Sequence, residues 1–197
     1  MTDAPTARLF IAVDPPKGIR EELAAWARGA VRGLGPRGSG GKTSVVRVLN
    51  PELLHVTLCF LGNRSVEEIA AIEEPLQECA MPVGELSIGA PLWLPPRRPR
   101  ALAVEVRDDA RGGLAALHGA LTQALAWTCG YAAERRRFRA HVTLARMREG
   151  PRGPAGARVL PPTPALSFTP ASIVLYRSWL APAGASYEAL VTRTLVP

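Results

Sequence analysis

Two short segments of this 197-residue chain hold residue types that can move protons beside an anion: His55-Val56-Thr57 and His141-Val142-Thr143. Each is followed by leucine, so His-Val-Thr-Leu occurs twice, a little under half the chain apart. Histidine titrates near neutrality and serves as general acid or general base. A threonine hydroxyl can donate a hydrogen bond to an oxygen on which charge accumulates. A lone histidine in a strand is more often structural than catalytic. Here two of the three histidines in the chain share the same flanks, which favours chemistry.

The elements that must present these groups are strands. Residues 54–60 and 140–145 are short apolar, β-branched runs, the composition of buried strands. Side chains alternate along a strand, so His and Thr two apart share a face while Val and Leu anchor the other. Two such strands facing one cleft would gather two imidazoles and two hydroxyls around one small group. Cys59 has the parity of His55, so a metal set of His55, His141 and Cys59 is an alternative. The sequence offers no clustered acidic ligands, and His-Thr pairs are poor cages for divalent ions. No metal and no cofactor is expected.

The rest of the chain supplies a frame. Residues 8–13 read as a buried first strand, ended by Asp14-Pro15-Pro16, with Asp14 or a neighbour as a cap for the next helix. Ile19, Leu23, Trp26, Ala27, Ala30, Val31 and Leu34 follow helical spacing. Gly40-Gly41-Lys42-Thr43 resembles the end of a phosphate-binding loop. Pro36 stands where that pattern needs glycine, and the flanking elements come in the wrong order, so a surface loop is expected. Ser65 is a candidate N-cap for a helix that Pro75 should kink or end. Residues 85–94 and 100–106 read as a hairpin with a proline-rich basic tip. Asp108 and Asp109 open a helix with Leu114, Leu117, Leu121 and Leu125 on one face, stopped by Gly130. His118 borders that face as a packing residue. Residues 149–164 form a Pro/Gly-rich loop, and 172–180 and 187–196 are two final strands joined by a turn. The order β-α-β-β-α-β-β-α-β-β-β is α+β, and it looks like one unit used twice. No linker separates independent domains.

Composition bounds the setting. A hydrophobic fraction of 47% with 21% charged residues fits a globular protein. No apolar run reaches the roughly 18–20 residues a membrane helix takes. The three cysteines are odd in number and lack metal-type spacing, so reduced thiols in the cytoplasm are expected. The formal net charge is +7, and among 24 basic residues only Lys17 and Lys42 are lysines. Such a surface favours polyanions, although arginine excess also follows from coding bias.

Several phrases together resemble the 2H phosphoesterase superfamily. They are the opening Arg8-Leu9-Phe10-Ile11-Ala12-Val13, Leu54-His55-Val56-Thr57-Leu58-Cys59-Phe60-Leu61-Gly62, Phe138-Arg139-Ala140-His141-Val142-Thr143-Leu144-Ala145-Arg146 and Leu175-Tyr176-Arg177-Ser178. Within that superfamily the chain is similar to the RNA 2′,3′-cyclic phosphodiesterases, also called 2′-5′ RNA ligase-like. Ala140 departs from the proline common before the second histidine, and the loop 33–41 is longer and richer in glycine than usual. The resemblance implies a single bilobal, pseudo-symmetric catalytic domain over residues 1–197, with two mixed or antiparallel sheets facing a central cleft and helices outside. It implies metal-independent opening of a 2′,3′-cyclic phosphate at an RNA end to a 2′-phosphate. By the same resemblance His55 is the proton donor, His141 the proton acceptor, and Thr57, Thr143 and Arg146 hold the phosphate. Alternation turns Arg146 away from His141 unless a bulge or the strand's end intervenes. Arg139 has the right parity and is the substitute substrate contact. Partners are RNA ends or nucleotide cyclic phosphates, with no membrane, and a monomer is expected. Alternatives are another activity of the superfamily, such as 2′-5′ ligation or hydrolysis or ADP-ribose cyclic phosphate hydrolysis, or an RNA-end binder without turnover.

Overall fold

A computed structural model describes residues 5–32, 46–96, 98–134, 136–147, 160–181 and 184–195. The glycine-rich loop with Gly40, Gly41, Lys42 and Thr43, most of the 149–164 loop and the centre of the last turn lie outside the described residues. The elements run β1 (Thr6–Val13), α1 (Lys17–Ala30), β2 (Val46–Val48), β3 (Val56–Ser65), α2 (Ile69–Glu78), β4 (Leu86–Leu94), β5 (Ala101–Arg107), α3 (Gly113–Cys129), β6 (His141–Met147), β7 (Ser167–Phe168), β8 (Ser172–Ala181) and β9 (Gly184–Thr194). This is the order expected from sequence with the two-residue β7 added.

Local chemistry accounts for most boundaries. Ser65 caps the turn that leads into α2: its hydroxyl accepts from Glu67 N–H, and Glu68 accepts from Ser65 N–H at 2.9 Å. Asp108 receives the N–H groups of Leu114 and Ala115 at 3.2 and 2.9 Å at the start of α3. Gly130 ends α3 in the left-handed region, φ 63°, where glycine alone is unstrained. Two expectations change. Of a kink or an end at Pro75, the end does not occur, since α2 continues to Glu78. The buried Pro75 ring packs beside Ile72 and Leu76, and that burial offsets the one backbone bond proline forfeits. Asp14 does not cap α1. Pro16 holds the N-cap position without a side-chain bond, and Asp14 accepts the Tyr176 hydroxyl instead.

The strands form one sheet in the order β7-β4-β5-β6-β3-β1-β8-β9, with β2 also on β6, and every pairing is antiparallel. The two expected sheets are its halves. They meet between β3 and β6, where the register holds a single pair, Val56 with Val142. The helices cross between the halves. Helix α1 leaves β1 but packs against β2 and β6, whereas α3 leaves β5 and packs against β3. One apolar core under the sheet joins Leu9, Ile11 and Val56 to Val104, Val142 and Leu144, with Leu23 of α1 and Leu117 and Leu121 of α3 below them.

Leu121 is fully buried in that core. Leu121→Ala should lower unfolding free energy by about 2–5 kcal/mol, the range for leucine truncation in a packed interior. A shift of the urea midpoint measures it. A change under about 1 kcal/mol would mean that α3 is not part of the cooperative core.

Candidate active site

The site forms where the two halves meet. In an antiparallel pair, continuing the Val56–Val142 register by one residue sets His55 against Thr143 and Thr57 against His141. The two valines point into the core, so these four neighbours point to the helix-free face. Beyond them, Thr57 pairs with Ala12 of β1 and Thr143 with Ala103 of β5, each a minimal side chain beside a hydroxyl.

Both imidazoles are fixed the same way. His55 Nδ1 lies 2.8 Å from the Leu53 carbonyl, and His141 Nδ1 lies 2.8 Å from the Arg139 carbonyl. A carbonyl only accepts, so each Nδ1 carries the hydrogen and each Nε2 is left for a ligand. His55 stacks on Phe10, with ring centroids 4.7 Å apart, and meets the Tyr187 ring edge-on at 5.3 Å. Burial pushes the His55 imidazole below its ordinary value of 6.5. The Leu53 bond and the Asp14 charge pull it up, and Arg146 and His141 add to the lowering. The charge of His141 acts on His55, so the two histidines share one neighbourhood.

Arg146 reaches this neighbourhood through a β-bulge. Thr143 and Ala145 pair with consecutive residues of β5, Ala103 and Leu102, so Leu144 is the extra residue. The bulge makes Leu144 and Ala145 both buried and returns Arg146 to the face of His141 and Thr143. The Arg146 charge acts on both His55 and Tyr187. Arg139 sits at the rim, its guanidinium 3.9 Å from Glu105 and more than half exposed, while its carbonyl holds His141.

The same bulge in β3 overturns the parity of Cys59. Thr57 and Cys59 pair with Ala12 and Ile11, so Leu58 is extra and Cys59 turns into the core. Its thiol lies 3.9 Å from the Thr122 hydroxyl on α3, and burial raises it to about 11, far from the thiolate that would bind metal. Cys59 is therefore not on the face of His55 and His141, and that ligand set is not assembled. His118 stacks on Phe138 with centroids 4.0 Å apart, on the helix side, in the packing role expected.

Five residues that sequence reasoning did not place in the site line it: Phe10, Asp14, Tyr176, Tyr187 and Arg47. Tyr176 stacks on Phe10 at 5.2 Å and donates its hydroxyl to Asp14 at 2.5 Å. Arg47 pairs with Arg146 across β2 and β6, and its guanidinium lies directly over Gly184 at the start of β9. Strand β9 is the far edge of one half and β2 belongs to the other, so this contact shows that the sheet curls its halves toward each other. Alternation in β1 placed Phe10 on the face of Arg8 and was a usable signal; pairings with β8 and β9 were not readable locally.

Two imidazoles with free Nε2 atoms, sharing a face with two hydroxyls and a guanidinium, are an arrangement that can do acid–base chemistry on an anion. Comparisons agree. No family model matches the chain. It is 32% identical over 142 residues to the RNA 2′,3′-cyclic phosphodiesterase of Archaeoglobus fulgidus, covering 72% of this chain and 73% of that protein. The crystal structure of E. coli LigT complexed with 3′-AMP superposes with a TM-score of 0.77 at 27% identity, over 98% of this chain and 100% of that one. TT0787 of Thermus thermophilus gives 0.74 at 25% identity over 95% and 97%. The chain belongs to the RNA 2′,3′-cyclic phosphodiesterase family of the 2H phosphoesterase superfamily. The bilobal, mostly antiparallel architecture is that of these enzymes.

His55 and His118 are both lowered by burial. A histidine lowered in the folded chain binds a proton more readily once unfolded, so its contribution is full above the ordinary value of 6.5 and is lost as pH falls through the lowered folded value. The wild type should lose stability between about pH 7 and about pH 5 in urea titrations, and His55→Gln should lose less. Equal losses would remove His55 from the acid response.

Proposed function

We propose that this chain hydrolyses the 2′,3′-cyclic phosphate at an RNA end to a 2′-phosphate, with no metal, by two-histidine acid–base catalysis in one bilobal domain. The observation that carries it is the crossed quartet His55, Thr143, His141, Thr57 at the Val56–Val142 pair, with Arg146 beside it. Family membership supports the reaction class.

His141 Nε2 takes a proton from water as the water oxygen bonds to phosphorus. The bond from phosphorus to the ribose 3′-oxygen breaks, and that oxygen receives the proton of His55 Nε2. The product is a 2′-phosphomonoester with a free 3′-hydroxyl, and the histidines end with their protonation exchanged. Thr57 and Thr143 donate to the two non-bridging oxygens. Arg146 offsets the anion's charge, and Arg139 stands at the rim where the chain of nucleotides would leave. Identical Nδ1 anchors allow either histidine to serve as acid or base. In the free site, burial, Arg146 and His141 work against a proton on His55; a phosphodiester anion between the imidazoles reverses that balance. The basic surface suits an RNA ligand, and the free thiols suit a reducing cytoplasm. No helix of the described residues is long and apolar enough to cross a membrane.

The test is turnover of a 2′,3′-cyclic-phosphate oligoribonucleotide in chelator with identification of the product isomer. Activity should persist; loss restored by one added metal would reject the scheme. His55→Ala and His141→Ala should each reduce turnover roughly 10²–10⁴-fold. Thr57→Ala and Thr143→Ala should cost less. Near wild-type rates in either histidine variant would sink the mechanism.

RNA affinity should fall as salt rises, because phosphate contacts with arginine release counterions. Filter binding of an uncleaved 2′-phosphate product across a salt series checks this. A flat response would remove the arginines from the interface.

A further inference from the structure

The residue types around the Val56–Val142 pair repeat with two-fold symmetry. Across β1, β3, β6 and β5, one row runs Asp14, His55, Thr143, Ala103, and the other runs Ala12, Thr57, His141, Glu105. Each histidine thus has a threonine on one side and a carboxylate on the other. The carboxylates differ in their company. Glu105 lies 3.1 Å from Arg107 Nε and 3.9 Å from Arg139. Asp14 makes no ion pair among the described residues; its Oδ2 accepts the Tyr176 hydroxyl at 2.5 Å. Arg20 acts on Tyr176, but its Nη1 is directed to the Glu52 carbonyl at 3.5 Å.

The groups that face His55 are the Phe10 ring and Asp14 from the β1 end, Tyr187 from β9, and His141 and Arg146 from β6. Asp14 is the anion in this set. Asp14 is partly buried, and the ring whose hydroxyl it accepts, Tyr176, stacks on the Phe10 ring that covers His55. Glu105 presents a pair of opposite charges to His141 rather than a lone carboxylate.

We propose that Asp14, oriented by the Tyr176 hydroxyl, is a positioning residue that holds the proton on His55 and so makes His55, rather than His141, the acid. The inference rests on the acid role proposed for His55. Asp14 does not touch the reacting atoms and acts through the imidazole. The carboxylate beside His141 is instead shared with Arg107 and Arg139.

The test uses the full chain with Asp14→Asn, which keeps an acceptor for Tyr176. Asp14→Ser gives the same neutral comparison if that variant does not fold, and Asp14→Glu retains the charge. Histidine-labelled protein is titrated by NMR, with the His55 signal assigned from its absence in His55→Ala. The pH dependence of turnover is measured on the cyclic RNA end. In Asp14→Asn, His55 should titrate at lower pH than in the wild type. The alkaline limb of the rate profile should move down by the same interval, and the acidic limb should stay. Each unit of movement lowers the rate above that limb about tenfold. Asp14→Glu should keep the wild-type limb. An unchanged His55 titration overturns the inference and leaves the acid role standing. A His55 titration that moves together with the acidic limb, with His55→Ala left unrescued by a nitrophenyl phosphodiester whose leaving group needs no proton, makes His55 the base and overturns the acid role and the inference with it; rescue keeps His55 the acid, since an acid that titrates below the base sets the acidic limb.

Discussion

The site depends on one register. Val56 opposite Val142 is the single pair joining the halves, and it sets the parity of every group around it. With both valines in the core, both His-Thr pairs must face out, each imidazole against the other strand's hydroxyl. A slip of one residue in either strand would turn its histidine into the apolar core and its valine into the cleft. The core resists that slip from beneath, since Val56, Val142, Leu9, Ile11 and Val104 are all fully buried. The helices add a second restraint, because each of α1 and α3 packs under the histidine strand of the opposite half. Separating the halves would expose both helix interfaces, so catalytic geometry and folding cooperativity draw on the same contacts.

The paired bulges extend this frame. A regular strand offers alternate residues to one face, so a histidine and the residue five positions later would oppose each other. One extra residue after each threonine brings the fifth back to the open face. In β6 that residue is Arg146, and in β3 it is Phe60, which stacks under the Arg8 guanidinium at 4.8 Å. The device is the same in both halves, but one copy turns a cation to the histidine face and the other an aromatic ring.

Sequence alone disclosed what local pattern controls. Alternation placed His55 with Thr57 and His141 with Thr143 on one face, and apolar periodicity placed α1 and α3. The parity rule also stated the condition under which Arg146 could reach the site, namely a bulge. It could not locate the bulge, and so it put Cys59 on the wrong face: a bulge is a mismatch between two strands and leaves no mark on one. Asp14 before two prolines matched a helix cap, yet its partner proved to be Tyr176, far along the chain in β8. Such a pairing is set by tertiary register, which propensity does not encode. That α2 runs past Pro75 was illegible for the same reason, because the burial that offsets the missing bond comes from the neighbouring core.

Symmetry alone would not assign the two roles of the proposed reaction. Two identically anchored imidazoles in identical fields would have equal proton affinities, and a single proton would be shared evenly between them. The departures from symmetry are what can decide which imidazole holds it. Position 10 holds phenylalanine where its counterpart 101 is alanine, so His55 alone is stacked and desolvated. Position 176 holds a tyrosine bound to Asp14 where its counterpart 94, paired with Ala101, is leucine. Arginine at 146 faces phenylalanine's place at 60. Burial disfavours a charge on His55, and the phosphate of the proposed substrate would favour one, which would tie its protonation to occupancy of the site. In the proposed reaction such an imidazole is a donor ready when the leaving oxygen needs it, and the two-fold frame supplies the partner that takes the proton from water.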